Sequence, residues 1–173
     1  MNYFEFYGLP VQFVLDTQQV RQIYLANSRK YHPDFHTLKP EPEQQQALEQ
    51  SILNTNAFKT LSDEHLRMKY ILTLKGILHN DTSPPPLPND FLMQVMDINE
   101  SIETLPQNPA LKKTILAEIQ QLEHAIYQDI EPILTHYNDL TTTTDQLQAV
   151  KNFYLKKRYL LRMQENILKF APH

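Results

Sequence analysis

The sequence predicts an all-α protein, and two observations carry that expectation. Twelve prolines against only two glycines, among many Leu, Gln, Glu, Ile and Lys, describe helices punctuated by proline rather than strands joined by glycine turns. Apolar residues also recur at three- and four-residue steps through most of the 173-residue chain, which is the spacing of one helix face.

Composition narrows the function classes. An apolar fraction of 41% supports a packed core but is far below that of a membrane protein. No run of about 18 apolar residues occurs, and Met1-Asn2-Tyr3-Phe4-Glu5 lacks the charged-then-apolar opening of a signal peptide. The expectation is a soluble, cytoplasmic, monomeric protein without cofactor. With no cysteine, disulfides, thiolate metal sites and a cysteine nucleophile are excluded. A net charge of −4 argues against general nucleic-acid binding. The acidic excess is uneven: residues 1–76 carry eight basic and eight acidic groups, and 77–173 carry eight basic and twelve acidic. No glycine-rich phosphate loop, HExxH or GxSxG appears, and no long-period repeat.

The first helix is expected over Tyr3 to Tyr7, stopping at Gly8. Asp16, with Gln19 at capping-box spacing, opens a second in which Val20, Ile23, Tyr24, Asn27 and Tyr31 share a face. The opposite face collects Arg21, Leu25 and Arg29, with Lys30 at its edge. Pro33 lacks a backbone donor and drives His32 out of the α region, so this helix should close at Tyr31 or His32 and expose His32, Pro33 and Asp34. Phe35 to Pro42 is read as a loop, and Glu43 to about Leu61 as a helix with Leu48, Ile52, Phe58 and Leu61 inward. Together the two long helices should form an antiparallel hairpin. Ser62 or Asp63 can cap a short fourth helix that runs to Gly76.

A proline-rich linker over 77–88, stiffest at Asn80 to Pro88, separates residues 1–76 from a second module at 89–173. Three helices are expected there: Asp90 to Leu105, Pro109 to Asp139 and Asp145 to Phe170. In the first, Phe91, Val95, Ile98, Ile102 and Leu105 form the core stripe. Leu92, Met93, Met96, Asp97, Glu100 and Glu103 lie well away from that stripe, as an apolar and acidic patch suited to binding a protein. Leu111 to Tyr137 keeps a helical rhythm that Pro132 should kink or break. Thr144 can cap the last helix, whose two apolar stripes are Leu147, Val150, Tyr154, Leu161, Leu168 and Phe153, Leu160, Met163, Ile167, Phe170.

These residues carry a family resemblance. The basic helix ending in His32-Pro33-Asp34, followed by Asn56-Ala57-Phe58-Lys59-Thr60-Leu61-Ser62-Asp63, Arg67 and Tyr70, resembles the J-domain of the DnaJ co-chaperones. The opening Tyr3-Phe4-Glu5-Phe6-Tyr7-Gly8-Leu9-Pro10 and the later Phe91-Leu92-Met93 are similar to the HscB/Jac-type branch, which serves iron–sulfur cluster biogenesis. The resemblance implies a J-domain at 1–76 and a scaffold-binding three-helix bundle at 89–173. It further implies an adaptor that is not an enzyme: it would stimulate a DnaK/HscA-type ATPase chaperone and bring it the cluster scaffold IscU. Carried over by motif, chaperone contacts fall to His32, Pro33, Asp34, Arg21, Leu25, Arg29 and Lys30. Scaffold contacts fall to Leu92, Met93, Met96, Asp97, Glu100 and Phe153. Departures from the family pattern are Phe35, where a lysine is common, Thr104, where an acid is common, and Pro132 in a helix that usually runs long. The missing cysteines rule out the N-terminal zinc module of some eukaryotic members and favour a bacterial-type protein.

Blander alternatives stand beside each assignment. His32-Pro33-Asp34 can be an ordinary helix stop, the basic residues a solvated face, the methionine patch a buried contact, and Phe153 plain core. A J-protein for another client is a further reading. The most distant is a small metal-dependent hydrolase using His32, Asp34 and His36 with His65 or His79.

Overall fold

The computed structural model describes residues 1–79 and 86–169. Residues Asn80 to Pro85 of the expected spacer, and Phe170 of the last helix, lie outside the described residues. Among the described residues there are seven α-helices and no strand: α1 Tyr3–Tyr7, α2 Thr17–Lys30, α3 Glu41–Ser62, α4 Glu64–Leu74, α5 Asn89–Glu103, α6 Lys112–Thr135 and α7 Thr144–Lys169. Two 3₁₀ turns, Pro33–Phe35 and Pro109–Leu111, precede α3 and α6. By its contacts the chain divides into two compact units. One comprises Met1–Gly76 with Tyr137–Thr141, the other Ile77–His136 with Thr142–His173.

The first unit is built on α2 and α3. Tyr24 stacks on Phe58 at 4.3 Å, Ser28 meets Asn54, and Tyr31 lies beside Ala47, so ascending α2 meets descending α3 and the pair is an antiparallel hairpin. The inward face of α3 is Ala47, Asn54, Ala57 and Leu61, not the Leu48 and Ile52 expected from the sequence, which are 46% and 54% exposed. Small residues on that face let the two helices approach, and the larger apolar side chains fall outside. Asn54 is a buried polar hub: its amide donates to Tyr24 O and Ser28 Oγ at 3.1 Å each. Its own Oδ1 and carbonyl accept from the Tyr7 hydroxyl. Burial pushes that phenol up from its ordinary range, which keeps it the donor that Asn54 requires.

Short elements brace the hairpin. Asn2 and Glu5 make a reciprocal cap on α1, and Gly8 closes it in the left-handed conformation, φ 65°, which glycine adopts at little cost. Asp16 caps α2 through Gln18 N rather than through the capping-box spacing with Gln19. Asp63 caps α4, and Gly76 beyond it also has positive φ. Arg67 is 5% exposed and donates from Nε to Phe13 O and from Nη1 to Leu61 O. Burial lowers its pKa, yet two carbonyls satisfy the buried guanidinium. Tyr137, expected on the α6 stripe, lies past that helix and packs edge-on against Phe13 at 4.9 Å.

In the second unit α5, α6 and α7 share one core. All five residues of the expected stripe, Phe91, Val95, Ile98, Ile102 and Leu105, are buried against Ile115, Ile119, Leu160, Met163 and Ile167. Lys157 pairs with Glu123 at 3.2 Å, and Phe153 meets Tyr127, so α6 and α7 are also antiparallel. Helix α6 continues through Pro132 to Thr135, and the expected break is absent. Pro132 stands one turn from the helix end, and Gln128 and Pro132 are both exposed, so the carbonyl that loses its donor faces water. The cap of α7 is Thr143, one residue before the expected Thr144: its hydroxyl accepts from Gln146 N and its amide donates to Gln146 Oε1. Leu168 is 60% exposed and leaves the expected stripe.

Candidate functional site

The first candidate surface is the turn that ends α2. Its last helical bond runs from Tyr31 N to Asn27 O. His32 is then extended (φ −63°, ψ 127°), as a residue before proline must be, and Pro33 starts the 3₁₀ turn. His32 Nδ1 accepts from Asp34 N at 3.3 Å and lies 3.6 Å from Asp34 Oδ2. With Nδ1 acting as an acceptor, a neutral His32 carries its proton on Nε2. The Asp34 side chain is 82% exposed, so this carboxylate is presented rather than consumed by the fold. Phe35 stands edge-on to His32 at 5.9 Å and is itself exposed.

What fixes the turn was not read from the sequence. His36 Nε2 bonds to Lys30 O at 3.0 Å, tying the loop to the end of α2. Gln44, on the first turn of α3, donates to Thr37 O at 3.2 Å and Lys39 O at 2.8 Å. Helix α3 begins at Glu41, with Pro40 as cap residue and Pro42 within its first turn. The expected loop to Pro42 is therefore shorter, because proline costs nothing where the helix has no amide to bond. His36 commits Nε2 to a backbone carbonyl, and its buried Nδ1 has no hydrogen-bond partner among the described residues. Among the described residues no group of three His, Cys, Asp or Glu could hold a metal.

Arg21, Leu25, Arg29 and Lys30 are all exposed on α2, and Lys30 lines a concavity with Glu43, Gln46 and Gln50 of α3. Arg29 and Lys30 also sit in the last turn, where positive charge complements the helix dipole. Lys30 Nζ lies 5.0 Å over the Tyr31 ring, a cation–π contact that holds it near the turn. The basic face thus leads directly into His32-Pro33-Asp34.

The second candidate surface is on α5. Leu92, Met93 and Met96 are 39%, 72% and 57% exposed, and Asp97, Glu100 and Glu103 are exposed beside them. The apolar residues and Glu100 line a concavity of about 620 Å³ that Asn89, Asn99, Glu103 and Tyr159 complete; Asp97 stands outside it. Asn99 could have been found, since Leu92, Met96, Asn99 and Glu103 follow a 4-3-4 step. Tyr159 comes from α7, and only tertiary packing brings it there. Phe153 is 3% exposed, its ring edge-on to Tyr127, and it lines a small concavity with Ile126, Asp129 and Lys156.

An antiparallel hairpin ending in His-Pro-Asp, braced by short helices and followed by a three-helix bundle, defines a J-domain protein with a C-terminal helical module. A co-chaperone protein HscB homolog from Psychromonas ingrahamii is 30% identical over 172 residues, covering 97% of this chain and 99% of its own length; one from Vibrio cholerae is 26% identical over 171 residues with the same coverages. The chain belongs to the HscB family of co-chaperones. Residues 87–168 match the model of the HSCB C-terminal oligomerisation domain. The human co-chaperone HscB superposes with a TM-score of 0.83 at 25% identity, covering all of this chain and 84% of the human one. Chaperone HscB from Vibrio cholerae gives 0.69 at 26% identity, covering 95% and 98%. Among the described residues no helix is long and apolar enough to cross a membrane.

Proposed function

We propose that this co-chaperone stimulates ATP hydrolysis by a DnaK/HscA-type chaperone and delivers an IscU-type iron–sulfur scaffold protein to it. The observation that carries this reading is the exposed Asp34 carboxylate, held in a braced turn at the end of an exposed basic face. A carboxylate so placed can take an arginine of the chaperone in a charge-assisted pair. Arg21, Leu25, Arg29 and Lys30 supply the surface around it and steer the encounter with an acidic partner. No group on the turn is arranged to attack a phosphate, so the contribution is allosteric: differential binding to one state of the chaperone.

The face of α5 supplies the client side. Leu92, Met93 and Met96 offer apolar area with the adaptability of methionine, and Asp97 and Glu100 favour a basic partner. The test is turnover of the chaperone ATPase with this protein, with and without the scaffold. Stimulation by the protein alone that rises further with scaffold is expected; scaffold acting independently of this chain would sink the reading.

A further inference from the structure

Beneath the methionines of α5 lies a polar pair that the apolar and acidic reading of that face does not use. Asn99 Nδ2 donates to the Tyr159 hydroxyl at 2.9 Å. This occupies a lone pair on the oxygen and leaves its proton, and Asn99 Oδ1, without a bonded partner among the described residues. The Tyr159 ring is fixed edge-on to Phe91 at 6.0 Å, and Phe91 is 1% exposed, so the hydroxyl is aimed by the core. Both residues line the concavity that Met93, Met96, Glu100 and Glu103 share.

Resting on the scaffold reading above, we propose that Tyr159 and Asn99 form a polar clasp that reads the main chain of the docked scaffold, the Tyr159 hydroxyl donating to a backbone carbonyl and Asn99 Oδ1 accepting an amide. Apolar area alone gives affinity without register, whereas a buried donor and acceptor penalise every pose that leaves them unpaired. The occupant is a protein segment with an apolar side chain for the methionines and a lysine or arginine for Glu100 and Glu103. The charge of the second half, eight basic against twelve acidic groups, complements that chemistry. Asn99 acts through the hydroxyl as well as directly, since without it the Tyr159 rotor is free.

The test is binding of the full chain to an IscU-type scaffold protein by isothermal titration. Tyr159→Phe keeps the ring on Phe91 and removes one oxygen; it should weaken binding about tenfold with an unchanged melting temperature. Asn99→Ala should weaken it about threefold, and the double variant should lose less than the product of the two, because the two groups are coupled. Stimulation of the chaperone ATPase without scaffold should be the same for all. If Tyr159→Phe binds like the wild type while Met93→Ala is weakened, the clasp is wrong and the face is right. If the wild type itself does not bind the scaffold, both fall. If Tyr159→Phe alters self-association of the chain instead, the occupant is a second copy and the proposal is overturned.

Discussion

The turn after α2 and the face of α5 are both exposed, but different forces hold their side chains in place. At the turn, a proline, a histidine bonded to a helix-end carbonyl and a glutamine bonded to two loop carbonyls set the backbone, and the proposed working group is a single charge. On α5 the backbone is an ordinary helix whose position follows from burying Phe91, Val95, Ile98 and Ile102, and the proposed working surface is several exposed apolar side chains. A braced charge suits the switching of a partner between two states, because its contribution depends strongly on distance and angle. A flexible apolar face suits holding a client, because its contribution scales with area.

That contrast can be broken from either side. The largest effect belongs to Asp34→Asn. The turn keeps its backbone bonds and loses one charge, so stimulation of the chaperone should fall to the basal rate while scaffold binding and thermal stability stay unchanged. Retained stimulation would show that the charge is not the working group. Asn54→Ala removes the side-chain hub: the Tyr24 carbonyl and the Ser28 hydroxyl lose its amide, and the Tyr7 hydroxyl keeps only the backbone carbonyl of residue 54. A loss of about 3 kcal/mol is expected for unsatisfied buried groups, measurable by urea unfolding of the first unit. Stimulation should weaken with it, because the hairpin carries the turn.

On the α5 side, Met93→Ala with Met96→Ala should cost about 2 kcal/mol of scaffold binding, roughly thirtyfold, for partial loss of two buried methionine contacts. Both side chains are exposed in this structure, so folding stability should hardly change, and stimulation without scaffold should persist. The smallest effect is on pH dependence. Hydrogen bonds from Lys75 and Tyr137 hold the Asp139 carboxyl below its ordinary value of 3.8. Its contribution is therefore present above that value and lost as pH falls through the lower folded pKa. Asp139→Asn should lower the first unit's stability at neutral pH and flatten its acid limb below about pH 4; an unchanged acid limb would count against the pairing.

Much of this was legible in the sequence where one kind of residue does one job. The α5 stripe could be read because Phe91, Val95, Ile98, Ile102 and Leu105 are all large and all buried. Gly8 and Gly76 could be read as stops because both take positive φ. Helix α3 misled because its packing face is Ala47, Asn54 and Ala57, where closeness rather than size stabilises the pair, and Leu48 and Ile52 carry the stronger hydrophobic signal outward. His36 and Gln44 gave no signal, since their partners are backbone carbonyls brought near only by the turn. Tyr159 stayed hidden for a related reason: it lies 60 residues from Asn99, and no periodicity within α7 points across to α5. Phe153 is ambiguous in sequence because an aromatic on a two-striped helix reads equally well as core or contact, and tertiary packing leaves it 3% exposed.

The central claim is that one chain carries both surfaces and couples them. It is tested most directly by mixing the Asp34→Asn variant with the Met93→Ala, Met96→Ala variant and measuring chaperone turnover with scaffold present. Each protein then retains one intact surface. The mixture should show only the stimulation owed to the methionine variant, without the further rise that scaffold gives the wild type. Full recovery of that rise in the mixture would contradict the account, since delivery would not then require the turn and the α5 face on the same molecule.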